Sequence, residues 1–450
     1  MNHLSDVIAT RRQFLKTSGK AAVVSALAGP FVLTSRTLAA DGPALKIGLV
    51  GCGGRGTGAA SQALHADPNV ELVAMGDVFE DALQNSLRNL SRRPSPPKEG
   101  TPAPDPKTII ADRVKVAPDK CFVGLDAYQK VINSGIDVVL LASPPGFRPE
   151  HLKAAVAAGK HVFCEKPMAT DAPGVRSVIE SAKAAKEKNL ALVAGFCWRY
   201  ELGRREFFKR VHDGAMGDVR YVHATYLTGP VKPMPPAANR PATMGDVEWQ
   251  LRNWYNFVWL SGDGLVEQAC HSVDKIMWAM KDAPPLRCTA NGGRNVPNNE
   301  GNIFDHIDVF YEWENGARAT MAQRQISNCL GDNSDYLNGT KGTGVIKGWS
   351  PPAIRGENSW RYAGEKKDMY QVEHDELFAS IRSGKPINDG AWMAQSSLVA
   401  IMGRMAAYTG QEVTWEQAMN SQWKLVPDNL TWDAKLPIEP MAQPGKTKFA

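Results

Sequence analysis

The chain has little of what would mark a metal protein, a disulfide scaffold, a nucleic-acid binder or a membrane span. Its cysteines, Cys52, Cys121, Cys164, Cys197, Cys270, Cys288 and Cys329, are scattered, and no two stand at metal-ligand spacing. No metal site is expected. Their number is odd and several sit in apolar runs, so most read as buried free thiols, although an oxidising compartment would permit a disulfide. The formal net charge of +5 is concentrated at the start. Residues 1–40 hold Arg11, Arg12, Lys16, Lys20 and Arg36 against Asp6 alone, leaving 47 bases and 46 acids in the remainder. Such a body offers no electrostatic footprint for nucleic acid or an anionic membrane. There is no internal repeat, Walker loop or nucleophile-elbow serine.

The first 40 residues read as an address rather than as structure. Thr10-Arg11-Arg12-Gln13-Phe14-Leu15-Lys16 matches a twin-arginine signal. A weakly apolar run follows, Ala21 to Leu33, then small residues at Thr37-Leu38-Ala39-Ala40. The run is too short to span a bilayer, so no stable membrane association is expected. The expected location is the bacterial periplasm, reached by the twin-arginine export machinery in the folded state.

The 450 residues suffice for two domains. Residues 45–50 form an apolar strand running into Gly51-Cys52-Gly53-Gly54-Arg55-Gly56, with a helix expected from Thr57 through Leu64. Strand before and helix after give the glycine pattern its dinucleotide-binding context. Gly51 permits the tight turn, Gly53 lets the backbone approach a pyrophosphate, and Gly56 lets helix and strand pack closely. The anion rests on the helix N-terminus. A second strand ends at Asp77, about 20 residues past the last glycine, where a carboxylate receives ribose hydroxyls. It would repel a 2′-phosphate, so NAD is favoured over NADP, with Arg55 the reservation. Residues 91–120 are proline-dense and predict an exposed insertion. Beyond it, Ile136 to Ala142 reads as a central parallel strand, and strands and helices alternate to Gly195. This predicts a doubly wound parallel sheet over 41–195.

Within that domain, Gly159-Lys160-His161-Val162-Phe163-Cys164-Glu165-Lys166-Pro167 is a helix end, an apolar strand and a charged strand end. Ligands of open α/β sheets sit beyond such ends. Lys166 there is either a surface lysine or a group that reaches a substrate hydroxyl, with Pro167 fixing the backbone that aims it.

Further on, Gly262 to Met280 predicts one helix carrying Glu267, His271 and Asp274 on one face. Either carboxylate would orient the histidine ring and raise its proton affinity. The alternative is a capped helix with a solvent-facing ion pair. Trp249, Trp254 and Trp259, with Arg252, form either an aromatic wall that stacks on sugar rings or core packing or a subunit interface. A hairpin is expected over 305–325, turned by Asn315-Gly316. His306 within it is assigned a structural role. A proline-spaced tail from Trp423 is expected to wrap the surface.

The Gly51–Gly56 turn, Asp77, Ala142-Ser143-Pro144-Pro145 with His151, Glu165-Lys166-Pro167 and Gly195-Phe196-Cys197-Trp198-Arg199-Tyr200 together resemble the glucose-fructose oxidoreductase/inositol dehydrogenase/rhizopine-catabolism (Gfo/Idh/MocA) family. The resemblance covers most of residues 45–410. It implies an N-terminal Rossmann domain plus a C-terminal α/β domain over 196–410 with a large, mostly antiparallel open sheet, and a tail over 411–450. It implies NAD(P)-linked chemistry on a sugar or polyol, and a dimer or tetramer. Ser143, Pro144, Glu165 and Lys166 would join the cofactor site, and Lys166, Arg199, Trp254, His271 and Asp274 the substrate site. Glu267 stands where the family has aspartate, and Ala269 where it has glycine. Lys166 is the expected acid/base, kept neutral by burial and the nicotinamide charge, with His271 and Glu267 completing the relay. Two other outcomes belong to the same resemblance. One is a glycoside hydrolase with resident, tightly bound NAD; the other is a carbohydrate-binding relative without turnover. The tyrosine that precedes the histidine in the hydrolases is missing from Glu267–His271.

Overall fold

The computed structural model describes residues 42–93 and 109–448. The leader and the proline-dense centre of the 91–120 stretch, residues 94–108, lie outside the described residues. The flanks of that stretch carry short 3-10 turns at Ile110–Arg113 and Pro118–Lys120.

Six strands, β1 (Leu45–Val50), β2 (Val70–Asp77), β3 (Cys121–Val123), β4 (Val138–Leu141), β5 (His161–Cys164) and β6 (Leu192–Ala194), form a parallel sheet ordered β3-β2-β1-β4-β5-β6. All four residues of β4 are buried, as expected of a strand covered on both faces. The chain order reverses between β1 and β4, and the loops after both strands open onto the same crevice. The first helix, Gly54–Ala66, starts three residues earlier than Thr57, because Gly53 is already its extended N-cap.

Nine strands follow: β7 (Val219–Thr228), β8 (Arg287–Gly293), β9 (His306–Glu312), β10 (Arg318–Gln325), β11 (Ser334–Gly339), β12 (Gly342–Lys347), β13 (Ala353–Gly356), β14 (Trp360–Arg361) and β15 (Val413–Thr414). Their order is β14-β13-β12-β11-β7-β10-β9-β8-β15. The β7–β10 pair is parallel and the other pairs are antiparallel. The expected hairpin is β9–β10, with Glu312 opposite Arg318. Its inward residues Ile307, Val309, Tyr311, Ala319 and Met321 are buried, a period-two pattern that sets the register.

The helix Gly390–Thr409 is buried over nearly its whole length. Its Arg404 donates to the carbonyls of Thr170, at 2.7 Å, and Gly262, at 3.0 Å. One buried guanidinium thereby ties the segment after Lys166 to the turn before Glu267. Sequence grouped residues 370–408 with the second domain. Helix Met369–Arg382 instead packs Val372, Leu377 and Phe378 into the core of the first sheet. The tail packs Leu425, Leu436 and Ile438 against the cluster around Trp249 and Trp259.

Candidate active site

A cavity of about 890 Å³ runs from the glycine turn to the second sheet. Gly51, Gly53, Gly54, Arg55, Gly56, Asp77, Ser143, Pro144, Glu165, Lys166, Trp254, Glu267 and His271 all line it. Cys52, Arg199 and Asp274 are not on its wall.

The nucleotide end follows from backbone sterics. Gly51 has φ +91°, and a Cβ there would sit 2.6 Å from the Ala142 carbonyl carbon and the Ser143 nitrogen. A Cβ on Gly56 would meet the Gly51 carbonyl oxygen at 1.8 Å. Gly53 and Gly54 face open space, with nothing within 4 Å of a Cβ. The result is a tight turn with a bare approach to a helix N-terminus, which fits a pyrophosphate. Asp77 accepts from the Cys52 amide at 2.6 Å and the Phe79 amide at 2.9 Å. Burial raises its pKa, opposed by these amides. Its two oxygens keep spare lone pairs for hydroxyl donors. Cys52 belongs to the turn expected to bind the cofactor. Its amide is taken by Asp77, and its buried thiol points at the Gly76 carbonyl.

Arg55 is also committed within the protein. It donates to Glu165, to Gln62 at 2.9 Å and to Glu373 at 2.7 Å, and lies over the Tyr370 ring at 4.7 Å. Sequence left it as a potential phosphate ligand that would weaken the preference for NAD. Two carboxylates engage it instead.

Glu165 leads to the chemistry. It accepts from Arg55 and, at 3.1 Å, from the Lys166 amide. A Cβ on Gly195 would lie 2.7 Å from its carboxyl carbon, so glycine there lets the carboxylate sit where it does. The Lys166–Pro167 peptide is cis, and the Pro167 carbonyl accepts from buried Arg148 at 2.6 Å. Lys166 is buried and donates to the Glu267 carbonyl at 2.5 Å and to Glu267 Oε1 at 3.1 Å. Burial is the largest single influence and would lower the lysine pKa, but the charge of Glu267, with Cys270, Glu165 and Tyr226 adding to it, holds Lys166 above its ordinary value. This corrects the expectation of a neutral lysine, since the opposite charge lies closer than the apolar surroundings can offset.

His271 differs from expectation in the opposite sense. The predicted single helix breaks at Gln268, giving Gly264–Glu267 and then Cys270–Ala279. Glu267 therefore turns to Lys166 rather than to the histidine. Asp274 turns away as well, receiving Arg199 at 2.8 Å and Ser396 at 2.7 Å. Arg199, which also holds Asp282, is packed over the Trp392 ring at 4.3 Å. These two residues form a buried structural ion pair, which corrects their assignment to the substrate. Left without a carboxylate, His271 stacks on Trp198 at 5.9 Å, and its Nδ1 has no partner. Burial, then the charges of Lys166, Lys275, Arg55 and Arg204, push its pKa well below the ordinary value.

Trp249 and Trp259 belong to the core, whereas Trp254 reaches the cavity, so the two readings of that aromatic segment divide between residues. His306 pairs with Asp305 at 2.7 Å and is not on the wall. Sequence reasoning missed Tyr226, Asn333, Trp349 and Tyr370, which reach the wall from distant elements. The seven cysteines are unpaired, five of them buried.

Comparison with known proteins agrees with the fold. Residues 45–196 match the family model described as "Oxidoreductase family, NAD-binding Rossmann fold", and residues 205–345 match "GFO/IDH/MocA C-terminal domain". Inositol 2-dehydrogenase 3 of Saccharopolyspora erythraea is 28% identical over 194 residues, covering 41% of this chain and 47% of that protein. Inositol 2-dehydrogenase of Serratia proteamaculans is 23% identical over 290 residues, covering 62% of this chain and 76% of that one. The chain spans about half the length of the first curated relatives it matches. Among solved structures, aldose-aldose oxidoreductase from Caulobacter crescentus, complexed with glycerol, aligns with TM-score 0.61 at 19% identity, over 82% of this chain and 99% of that one. At that identity the likeness is one of fold.

Proposed function

Because the chain belongs to the Gfo/Idh/MocA oxidoreductase family, we propose that it moves a hydride between a CH–OH carbon of a sugar or polyol and a nicotinamide cofactor, NAD rather than NADP. The observation that carries the reading is the meeting of Lys166, Glu267 and His271 in the cavity that the glycine turn opens. NAD, when bound, supplies the hydride acceptor. Gly53 and Gly54 leave room for its pyrophosphate, and Asp77 takes the ribose hydroxyls.

The protein's own groups handle the proton. The Lys166 ammonium, held charged by Glu267, donates to the substrate oxygen and stabilises the alkoxide that develops there. His271 is neutral, and its unpartnered Nδ1 accepts the hydroxyl proton. As the C–H hydrogen leaves with its electron pair, the substrate becomes a carbonyl compound; reduction runs the same steps backwards. Lys166→Ala and His271→Ala should each retain NAD yet slow NADH formation at least about a hundredfold with a sugar or polyol that the unmodified protein oxidises. Near-normal rates in either variant would remove that residue from the chemistry.

Export in the folded state, already loaded, is part of this proposal. A twin-arginine leader favours a cofactor kept through turnover, since free NAD outside the cytoplasm is scarce; bound NADH is then re-oxidised in place, either by a second carbonyl substrate or by returning the hydride to the oxidised substrate. Protein purified from the periplasm without added cofactor should release about one dinucleotide per chain when denatured. Empty protein that needs continuous external NAD would refute retention, and export unaffected by replacing Arg11 and Arg12 with lysine would refute the route.

A further inference from the structure

The wall of the cavity continues outward past His271 to a part that the hydride-transfer reading does not use. Trp349 lines the cavity although it is 74% exposed. An exposed indole is a large apolar surface, and one fixed at a cavity mouth marks a contact site. Trp349 follows β12 on a turn that is held at both peptide groups. The Gly348 amide donates to the Asn333 carbonyl at 2.8 Å, and the Gly348 carbonyl accepts from Arg204 at 2.8 Å. Arg204 is buried and also lies over the Trp198 ring at 4.2 Å, while Lys275 lies 3.8 Å from that ring's centroid. One guanidinium thus sets the positions of both indoles, whose centroids are 6.2 Å apart. Trp198 is the ring on which His271 stacks. The inner and outer parts of the wall are therefore joined by one packed series of groups.

A second observation points to a ligand there. Asn333 lines the cavity, and its side-chain Oδ1 is buried without a hydrogen-bond partner. A buried acceptor left unpaired is costly, and a donor from a ligand would satisfy it. The buried oxygen Glu267 Oε2 and nitrogen His271 Nδ1 are likewise unpartnered. Glu267 and His271 serve the reacting ring in the reading above. Asn333 and Trp349 remain for something further out.

We propose that Trp349, Trp198 and Asn333 form an outer subsite for a second ring, so that the substrate is a glycoside rather than a free monosaccharide. The apolar face of a pyranose or an aryl group lies on the Trp349 indole, and a hydroxyl or amide N–H of that ring donates to Asn333 Oδ1. The inner ring presents its CH–OH carbon to Lys166 and His271. This rests on the oxidoreductase reading for the inner ring. Binding energy from a remote ring serves to orient the reacting one.

The test compares the NAD-loaded full chain with its Trp349→Ala, Trp349→Phe and Asn333→Ala forms. The probes are free hexoses, disaccharides carrying each hexose as the non-reducing unit, and p-nitrophenyl glycosides. Binding is read by calorimetry and turnover by NADH absorbance. The unmodified protein should prefer two-ring probes. Trp349→Ala should lower the ratio of two-ring to one-ring affinity by about tenfold or more, the scale of a lost aromatic anchor. Trp349→Phe should restore part of it, and Asn333→Ala should lower the ratio for probes bearing a donor on the outer ring. Response to disaccharides alone, or to aryl glycosides alone, identifies the kind of second ring. Equal preference for one-ring probes, or equal losses for both classes in Trp349→Ala, overturns the subsite. Binding of two-ring probes that depends on Trp349, with no product formed from them and no change in the bound cofactor, would instead sink the oxidoreductase reading and leave the subsite standing.

Discussion

Replacing Glu267 by glutamine should move the Lys166 proton, and the structure fixes the direction. Lys166 Nζ lies 3.1 Å from Glu267 Oε1, with both side chains largely shielded from water. At an effective dielectric constant of about 20, unit charges at that separation attract by about 5 kcal/mol. With about 1.36 kcal/mol per pKa unit, the ceiling is a fall of about 4 units. Relaxation and the hydrogen bond to the Glu267 carbonyl, which survives the change, reduce it to an expected 1 to 3 units.

Two consequences are measurable, and the first needs no substrate. In the unmodified protein the folded-state pKa of Lys166 is above its unfolded value. Its contribution to stability is full below the unfolded pKa and is lost only as pH rises through the folded one. In Glu267→Gln much of that raise is removed, so the variant lacks stability that the unmodified protein has below the unfolded lysine pKa of about 10.4. The deficit is constant around neutral pH. It closes as pH rises through the folded pKa of the unmodified protein, so the gap in melting temperature should narrow only above about pH 10. In turnover, the high-pH limb should shift down by the same 1 to 3 units, with activity falling through it because the ammonium is lost. Activity rising through that limb would make Lys166 the base instead. A melting temperature and a rate profile that both track the unmodified protein would refute the electrostatic account of Lys166.

Gly51→Ala forces an L residue to φ +91° against the Ala142–Ser143 backbone, so unfolding free energy should drop by about 2 kcal/mol or more, read by denaturant titration, with NAD binding lost. Unchanged stability would mean that the turn relaxes freely. Asp77→Ser removes the charge beside the expected ribose site and should erode the preference for NAD over NADP, measured by calorimetry. Equal affinities in the unmodified protein would refute the assignment.

What the sequence disclosed is what is local along the chain. The glycine turn, the strand before it, the helix after it and Asp77 lie within 33 residues, and each is governed by its neighbours in sequence. The β9–β10 hairpin is of the same kind. The chemistry of the site is governed by pairs that are far apart. Glu267 acts on Lys166 across 101 positions, and Arg55 meets Glu373 across 318. No spacing rule carries that information. The failure at Glu267, His271 and Asp274 is instructive because a spacing rule was available and misled. Placing residues three and four apart on one face presumes an unbroken helix. The break at Gln268 separates Glu267 from the other two, and Arg199 and Ser396 take Asp274.

Two groups of candidate residues differ in how their polar atoms are engaged. Arg199 is engaged by Asp274 and Asp282, and Asp274 by Arg199 and Ser396, off the cavity wall. Glu267, His271 and Asn333 each retain a buried polar atom with no partner. A folded protein pairs its buried polar groups wherever it can. Open polar atoms on one cavity wall are what the proposed substrate would pair with, and the Trp349 and Asn333 variants test whether that wall extends from Lys166 outward, farther than hydride transfer to a single small alcohol requires.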